Sequence, residues 1–191
     1  MLSFAREFRP ALSLVVLFTI FLGLLLPGLF TGAMQLVFPY QANGSLIRQH
    51  GEVIGSALIG QNFTGPAYFT PRPSALDKPY DAATSGASNL GPASAQLLTN
   101  VRNNVGAYVK AYGPGPVPAD AVTASGSGLD PDISLANALR QAPAIAKARN
   151  LPVAAVVGLV NATAHRSFLG VIGTAHVNVL RINLALDAMA K

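Results

Sequence analysis

The sequence predicts an α+β protein: one N-terminal transmembrane helix followed by a single mixed sheet-and-helix extracytoplasmic domain. Three observations predict it. Residues 11–38 contain no charged side chain. Arg6 and Arg9 stand directly before that run, with Glu7 the only opposing charge. Beyond Tyr40 the composition turns ordinary, rich in Gly, Pro, Ser and Asn, and helical and alternating periodicities are interleaved.

About 20 apolar residues of helix span a bilayer core, so the run at 11–38 spans with tilt even if Pro27 kinks it. Positive charge before the span keeps residues 1–10 cytoplasmic and sends 39–191 across the membrane. A cleaved signal peptide, cut near Thr31-Gly32-Ala33, is the competing reading. The apolar run is longer than the ~7 to 15 residues such a signal uses, which favours a retained anchor. Gly28 and Gly32 form a small-xxx-small pair, a spacing that lets a second membrane helix approach closely.

In the domain, residues 52–61 read as a strand bounded by glycine and polar residues. Residues 63–91 read as a long ordered loop, a feature that in compact domains is usually functional. Apolar side chains recur at helical spacing over 94–112, and Gly113-Pro114-Gly115-Pro116 stops that helix. Residues 121–125 suggest a short strand before a glycine-serine turn. Ser134 is placed to cap a helix through Arg140, and Pro143 suggests that a second helix starts there and reaches Arg149. Pro152 to Val160 reads as a further helix start, 175–182 as a strand, and 184–189 as a terminal helix. One sheet with several helices is the expected result.

The chemistry of function classes is mostly excluded. The 13 Lys/Arg and 8 Asp/Glu are scattered singly, without the clustered patch that a nucleic-acid interface needs. Cysteine is absent, which removes disulfides and thiolate chemistry. His50, His165 and His176 lie far apart in sequence, so they do not suggest converging metal ligands. There is no phosphate-binding glycine-lysine loop and no nucleophile elbow. Thr123 to Gly128 reads as a turn in which glycine supplies positive φ. Asp130 and Asp132, just before a helix, suit its N-terminal dipole, or alternatively a surface that attracts hydrated cations. On residues alone the chain is an anchored extracytoplasmic domain without a visible active site. A membrane-anchored hydrolase or a binding module remains the alternative.

Several stretches in order along the chain resemble the C subunit of the bacterial Kdp potassium-transporting ATPase. They are Arg9-Pro10-Ala11-Leu12 and the span, then Gln41-Ala42-Asn43-Gly44-Ser45-Leu46. Gly55-Ser56, Leu58-Ile59-Gly60-Gln61, Tyr68-Phe69 and Arg72-Pro73-Ser74-Ala75 follow. Tyr80-Asp81 leads to Ser88-Asn89-Leu90-Gly91-Pro92. The longest runs from Val122 through Thr123, Ser125, Ser127 and Gly128 to Asp130-Pro131. Ala146-Lys147-Ala148-Arg149, Val177-Asn178-Val179-Leu180 and Asn183 through Asp187 close the series. Thr70-Pro71, Ala87 and Asp132 depart from the family pattern.

The resemblance implies an accessory subunit of a high-affinity potassium uptake complex, with no catalytic residue and no directly bound cofactor or metal of its own. ATP and K⁺ are handled by its partners: a P-type ATPase subunit, a channel-like potassium-binding subunit and a small membrane subunit, all in the inner-membrane bilayer. The family role is that of a catalytic chaperone raising the ATP affinity of the ATPase subunit. From the same stretches we expect the domain to cap the external K⁺ entrance. The expected docking residues are Gly28, Gly32, Gln41, Asn43, Gly44, Ser45, Arg72, Ser74, Tyr80, Asp81, Ser88, Asn89, Gly91, Thr123, Ser125, Ser127, Gly128, Asp130, Asn178, Asn183 and Asp187.

Overall fold

The computed structural model describes residues 2–167 and 169–189. The chain divides into two compact units, Met1–Leu46 and Ile47–Lys191.

The first unit is helical: α1 (Leu2–Ile20), a π-helical turn (Phe21–Leu25), α2 (Leu26–Val37) and the short α3 (Pro39–Ala42). Arg6–Val37 is long and apolar enough to cross a membrane. Pro27 has no N–H to offer the Gly23 carbonyl, and its ring crowds that carbonyl in a regular α-turn. The wider turn immediately before it relieves this, with the Leu26 N–H donating to the carbonyl of Phe21. At its far end the unit closes on a tight turn. The N–H groups of Gly44 and Ser45 donate to the carbonyls of Gln41 and Tyr40 at 3.1 and 2.9 Å, with φ of +86° and +50° at Gly44 and Ser45.

The second unit mixes helices with two separate two-stranded ribbons where one sheet was expected. β1 (Leu46–Gln49) and β2 (Glu52–Ser56) are joined by His50 and Gly51, both at positive φ, the requirement of a two-residue hairpin turn. β2 stops at Ser56, short of the expected Gln61. The Ser56 hydroxyl accepts the Leu58 N–H at 3.1 Å and turns the chain.

Residues 57–94 form the long irregular segment. α4 (Ala95–Tyr112) then starts at Ser94, whose hydroxyl accepts the Leu97 N–H, and ends at Gly113 with φ +85°. Residues 121–125 are not a strand: a 3-10 turn (Ala119–Ala121) occupies the approach, and Thr123 Oγ1 donates back to the Ala119 carbonyl at 2.7 Å.

The centre of the unit consists of two strand-to-helix junctions side by side. β3 (Asp132–Ser134) runs directly into α5 (Leu135–Arg149), and β4 (His176–Asn178) directly into α7 (Val179–Ala188). The strands pair antiparallel, with Ile133 opposite Val177. Each junction is capped by a side chain at its last strand residue: Ser134 accepts from Asn137 N–H and Asn178 from Arg181 N–H. α7 therefore takes over at Val179, and the strand expected over 175–182 shrinks to three residues. α6 (Val153–Thr163) packs against both α5 and α7. Ile133, Ala138, Ala142, Ile145, Val156, Val160, Val177, Ile182 and Leu186 form the buried core with Phe69.

α5 also corrects the expected break at Pro143: the helix continues through it. Pro143 is exposed while Ala142, Ile145 and Ala146 on the other faces are buried. The missing hydrogen bond thus falls on the solvent side, and burial of the remaining faces holds the helix together.

Candidate partner-docking surface

Arg72 gathers the long irregular segment and the turn before β3 into one surface. Its Nη1 donates to Asp130 Oδ2 at 2.8 Å, and its Nη2 to the carbonyls of Thr123 and Ala124 at 3.4 and 3.5 Å. The second Asp130 oxygen accepts the Asp132 N–H at 3.1 Å. Tyr80 donates to the Arg72 carbonyl at 2.7 Å, and its ring lies where a Cβ on Gly60 would sit. Burial, and then the Asp130 carboxylate, push the Tyr80 phenol well above its ordinary value, against a lowering by Arg72. The carboxylate of Asp130 is already neutralised by Arg72, which disfavours its reading as a free cation attractor.

The turn itself is held from both sides. Ser74 Oγ donates to the Gly128 carbonyl at 2.9 Å, and the buried Ser125 hydroxyl accepts the Gly128 N–H at 2.9 Å. Ser127 accepts Gly86 N–H at its carbonyl and Leu129 N–H at its hydroxyl. Gly128 has φ +70°, and a Cβ there would meet Leu76 Cγ at 2.6 Å. Beside this turn lies a cleft of about 330 Å³ lined by Ser74, Ser88, Thr123, Asn100, Asn103 and Asn104. Asn89 is exposed at φ +51° on the same irregular segment, and the Gly91 carbonyl accepts the Ser94 N–H that opens α4. Asp81 turns its own loop, accepting the Ala83 N–H at 3.1 Å. Most of the expected docking residues of residues 72–130 therefore share one connected polar surface.

The C-terminal candidates have other partners. Asn183 is buried and hydrogen-bonds both polar groups of the Phe69 peptide; Asn178 caps α7 and donates to Ala57 O and Asp132 Oδ1. Asp187 pairs with Arg149 at 2.7 Å, whose guanidinium also stacks on Tyr68. Gln41, Asn43, Gly44 and Ser45 build the closing turn of the first unit, where Asn43 Nδ2 donates to the Pro39 carbonyl. Gly28 and Gly32 have open space around their Cα atoms within that unit.

Sequence reasoning missed a buried polar relay beneath this surface. Asp120 accepts the Ser134 N–H and hydroxyl at 2.9 and 2.7 Å and Asn137 Nδ2 at 3.0 Å. Asn137 Oδ1 in turn accepts from Tyr108 and from Gln141, both at 2.9 Å. Gln141 clamps the Thr70 backbone through Oε1 and Nε2. Burial alone would raise the Asp120 carboxyl, but its hydrogen bonds together hold it below the ordinary carboxylate value. Asn137 and Gln141 sit four apart on one face of α5, and polar residues on an otherwise apolar helical face were the available signal.

Two of the three histidines come together in the fold. His165 and His176, distant in sequence, exchange backbone hydrogen bonds at 2.9 and 3.0 Å, and their rings stack at 5.4 Å. Asp132 Oδ2 lies 3.8 Å from His176 Nε2.

Residues 8–188 match the family described as "K+-transporting ATPase, c chain". The chain belongs to the KdpC family. Similar curated proteins carry the name "Potassium-transporting ATPase KdpC subunit". That of Allorhizobium ampelinum is 52% identical over 181 residues, covering 94% of this chain and 95% of its relative. That of Gemmatimonas aurantiaca is 51% identical over 187 residues, covering 97% and 94%. That of Caulobacter vibrioides is 53% identical over 182 residues, covering 94% and 92%. A KdpC-family chain with one apolar N-terminal helix of membrane-spanning length is a membrane-anchored subunit of a potassium transporter.

Proposed function

We propose that this chain is the non-catalytic accessory subunit that assembles and stabilises an ATP-driven potassium uptake complex. Residues 1–10 lie in the cytoplasm, 11–38 cross the inner membrane and 39–191 lie outside, the direction that Arg6 and Arg9 favour. The domain caps the external K⁺ entrance of a channel-like subunit through the surface around Asn89 and Gly128. The apolar helix packs beside that subunit, the P-type ATPase subunit and the small membrane subunit.

The observation that carries this reading is the convergence of Arg72, Ser74, Tyr80 and Asp130 with the 123–128 turn. Segments far apart in sequence make one rigid polar face, and irregular surface segments on a rigid scaffold are where recognition concentrates. A higher ATP affinity of the ATPase subunit then arises by linkage through the assembly, since a ligand-site change at a distance requires coupled equilibria.

The test is purification of a C-terminally tagged full chain from detergent-solubilised membranes of potassium-starved cells. A P-type ATPase and a channel-like subunit should accompany it in comparable amounts. Asn89→Ala combined with Asp130→Ala should lower complex yield or apparent K⁺ affinity severalfold. Wild-type yield and K⁺ affinity in that double variant would overturn the capping surface.

A further inference from the structure

The membrane-length helix carries a concave apolar strip of about 750 Å³ that runs from Leu12 and Ser13 through Val16 and Ile20 to Phe21 and Leu25. Its spacing changes part-way along. Leu12, Val16 and Ile20 recur every four residues, the spacing of one α-helical face, but Ile20 and Leu25 are five apart. In an unbroken α-helix a step of five turns about 140° away from the starting side. The π-turn at Phe21–Leu25 cancels that divergence, because its hydrogen bonds join residues five apart and the Leu26 N–H reaches the Phe21 carbonyl.

Beyond the turn the same side passes to α2. Gly28, Gly32 and Gln35 follow Leu25 at steps of three, four and three, again one α-helical face. All four are exposed, and a Cβ on Gly28 or Gly32 would meet nothing within 4 Å. From Leu12 to Gly32 the combined strip is about 30 Å long at 1.5 Å per residue, the thickness of the hydrocarbon core of a bilayer. Replacing the π-turn by regular α-helix would swing Gly28 and Gly32 roughly a quarter of a turn off the strip. Pro27 opposes that replacement, since its ring crowds the Gly23 carbonyl in a regular α-turn.

We propose that Pro27 is a positioning residue: by holding the π-turn it aligns the strip on α1 with the Gly28–Gly32 face, so that one transmembrane helix of another subunit packs along both. The proposal rests on the reading that this chain works inside a multisubunit complex. Lipid tails are as apolar as leucine, so helices associate in a bilayer through close packing, which small residues permit. Ser13 near one end of the strip and Gly28 and Gly32 near the other supply them. A fluid lipid chain adapts to either register, whereas a rigid rod as long as the strip gains from having the two halves in line. An α-helix is such a rod, and it crosses the whole depth with its backbone hydrogen bonds satisfied internally. A second copy crossing at the glycine pair would splay away at about 40° and leave the α1 end of the strip uncovered.

The experiment uses the full tagged chain expressed with its transporter, with variants compared at equal amounts of chain in the membrane. Photo-crosslinking amino acids placed singly at Val16 and at Gln35 should join the chain to the same subunit. Pro27→Ala should lower recovery of that subunit at least fivefold. Deleting Leu24 from the Pro27→Ala chain removes the extra residue and restores the alignment without a π-turn, so recovery should return to within twofold of wild type. A proline needed only for stability would not be rescued by a deletion. Undiminished recovery by Pro27→Ala would overturn the proposal, as would a loss that the deletion fails to repair. Crosslinks from the two positions to different subunits, to a second copy of the chain or to lipid alone would overturn it as well. If wild type recovers no subunit at all, the complex reading falls and takes this proposal with it. If wild type recovers them and Pro27→Ala does too, only the role of Pro27 falls.

Discussion

Asn183 holds both polar groups of the Phe69 peptide: its Oδ1 accepts the Phe69 N–H at 2.8 Å, and its Nδ2 donates to the Phe69 carbonyl at 3.0 Å. Both residues are buried, so a side chain of α7 replaces the neighbouring strand that this extended segment lacks. Asn183→Leu keeps the volume and strands both groups away from water. It should destabilise the protein by about 3 kcal/mol, the order expected for two buried groups left without partners. Thermal and denaturant unfolding of the full chain in detergent would check this, and a loss within error of zero would contradict the clamp.

Asp120 makes the stability depend on acid. Its folded value is held below the 3.8 of a free carboxyl, so its contribution is present above the unfolded value and disappears as pH falls through the lower folded one. Asp120→Asn should therefore lower stability at neutral pH and flatten the decline on acidification below that range. Melting curves taken in steps from neutral pH downward compare the two slopes; parallel slopes would remove Asp120 from the acid response.

Gly128→Ala introduces a Cβ at φ +70° against Leu76 and the Gly86 carbonyl. A residue forced into such a conformation costs on the order of 1–3 kcal/mol. The expected result is that loss of stability together with reduced subunit recovery, whereas Gly126→Ala, which meets open space, should leave both close to wild type.

Pro143→Ala should stabilise the chain. Alanine restores an N–H to the exposed side of α5 and removes the ring from the helix interior, a difference of about 3 kcal/mol in a free helix. A more flexible unfolded chain offsets under about 1 kcal/mol, leaving a net gain of roughly 2 kcal/mol by the same propensity argument. A lower unfolding midpoint would mean that the ring makes packing contacts that outweigh the lost hydrogen bond.

The fold was legible where a local signal decides the structure. The Ser134 cap and the Gly113 stop each act within a turn of their own position, and both were readable in the sequence. The misreadings share a different cause. The helix through Pro143 survives because tertiary packing, α6 included, covers its other faces, and the strand over 175–182 ends early because Asn178 caps a helix that the apolar alternation conceals. The residues of the candidate surface were legible as a set of segments resembling one family, but their shape was not. Arg72 and Asp130 lie 58 positions apart, and no periodicity encodes that pairing. Of the relay from Asp120 through Asn137 and Gln141 to Thr70, only the two polar residues on one face of α5 left a signal; Gln141 and Thr70 lie 71 positions apart.

The π-turn before Pro27 divides the apolar helix into two registers. One residue too many in a turn rotates everything beyond it by about 100° relative to an uninterrupted helix. A stripe of side chains counted from α1 at unbroken helical spacing therefore does not continue along α2; it emerges around the corner. Gly28 and Gly32 both lie beyond that rotation, on α2. The α1 residues that share a face with Gly28 and Gly32 are therefore not those that an uninterrupted helical count would give.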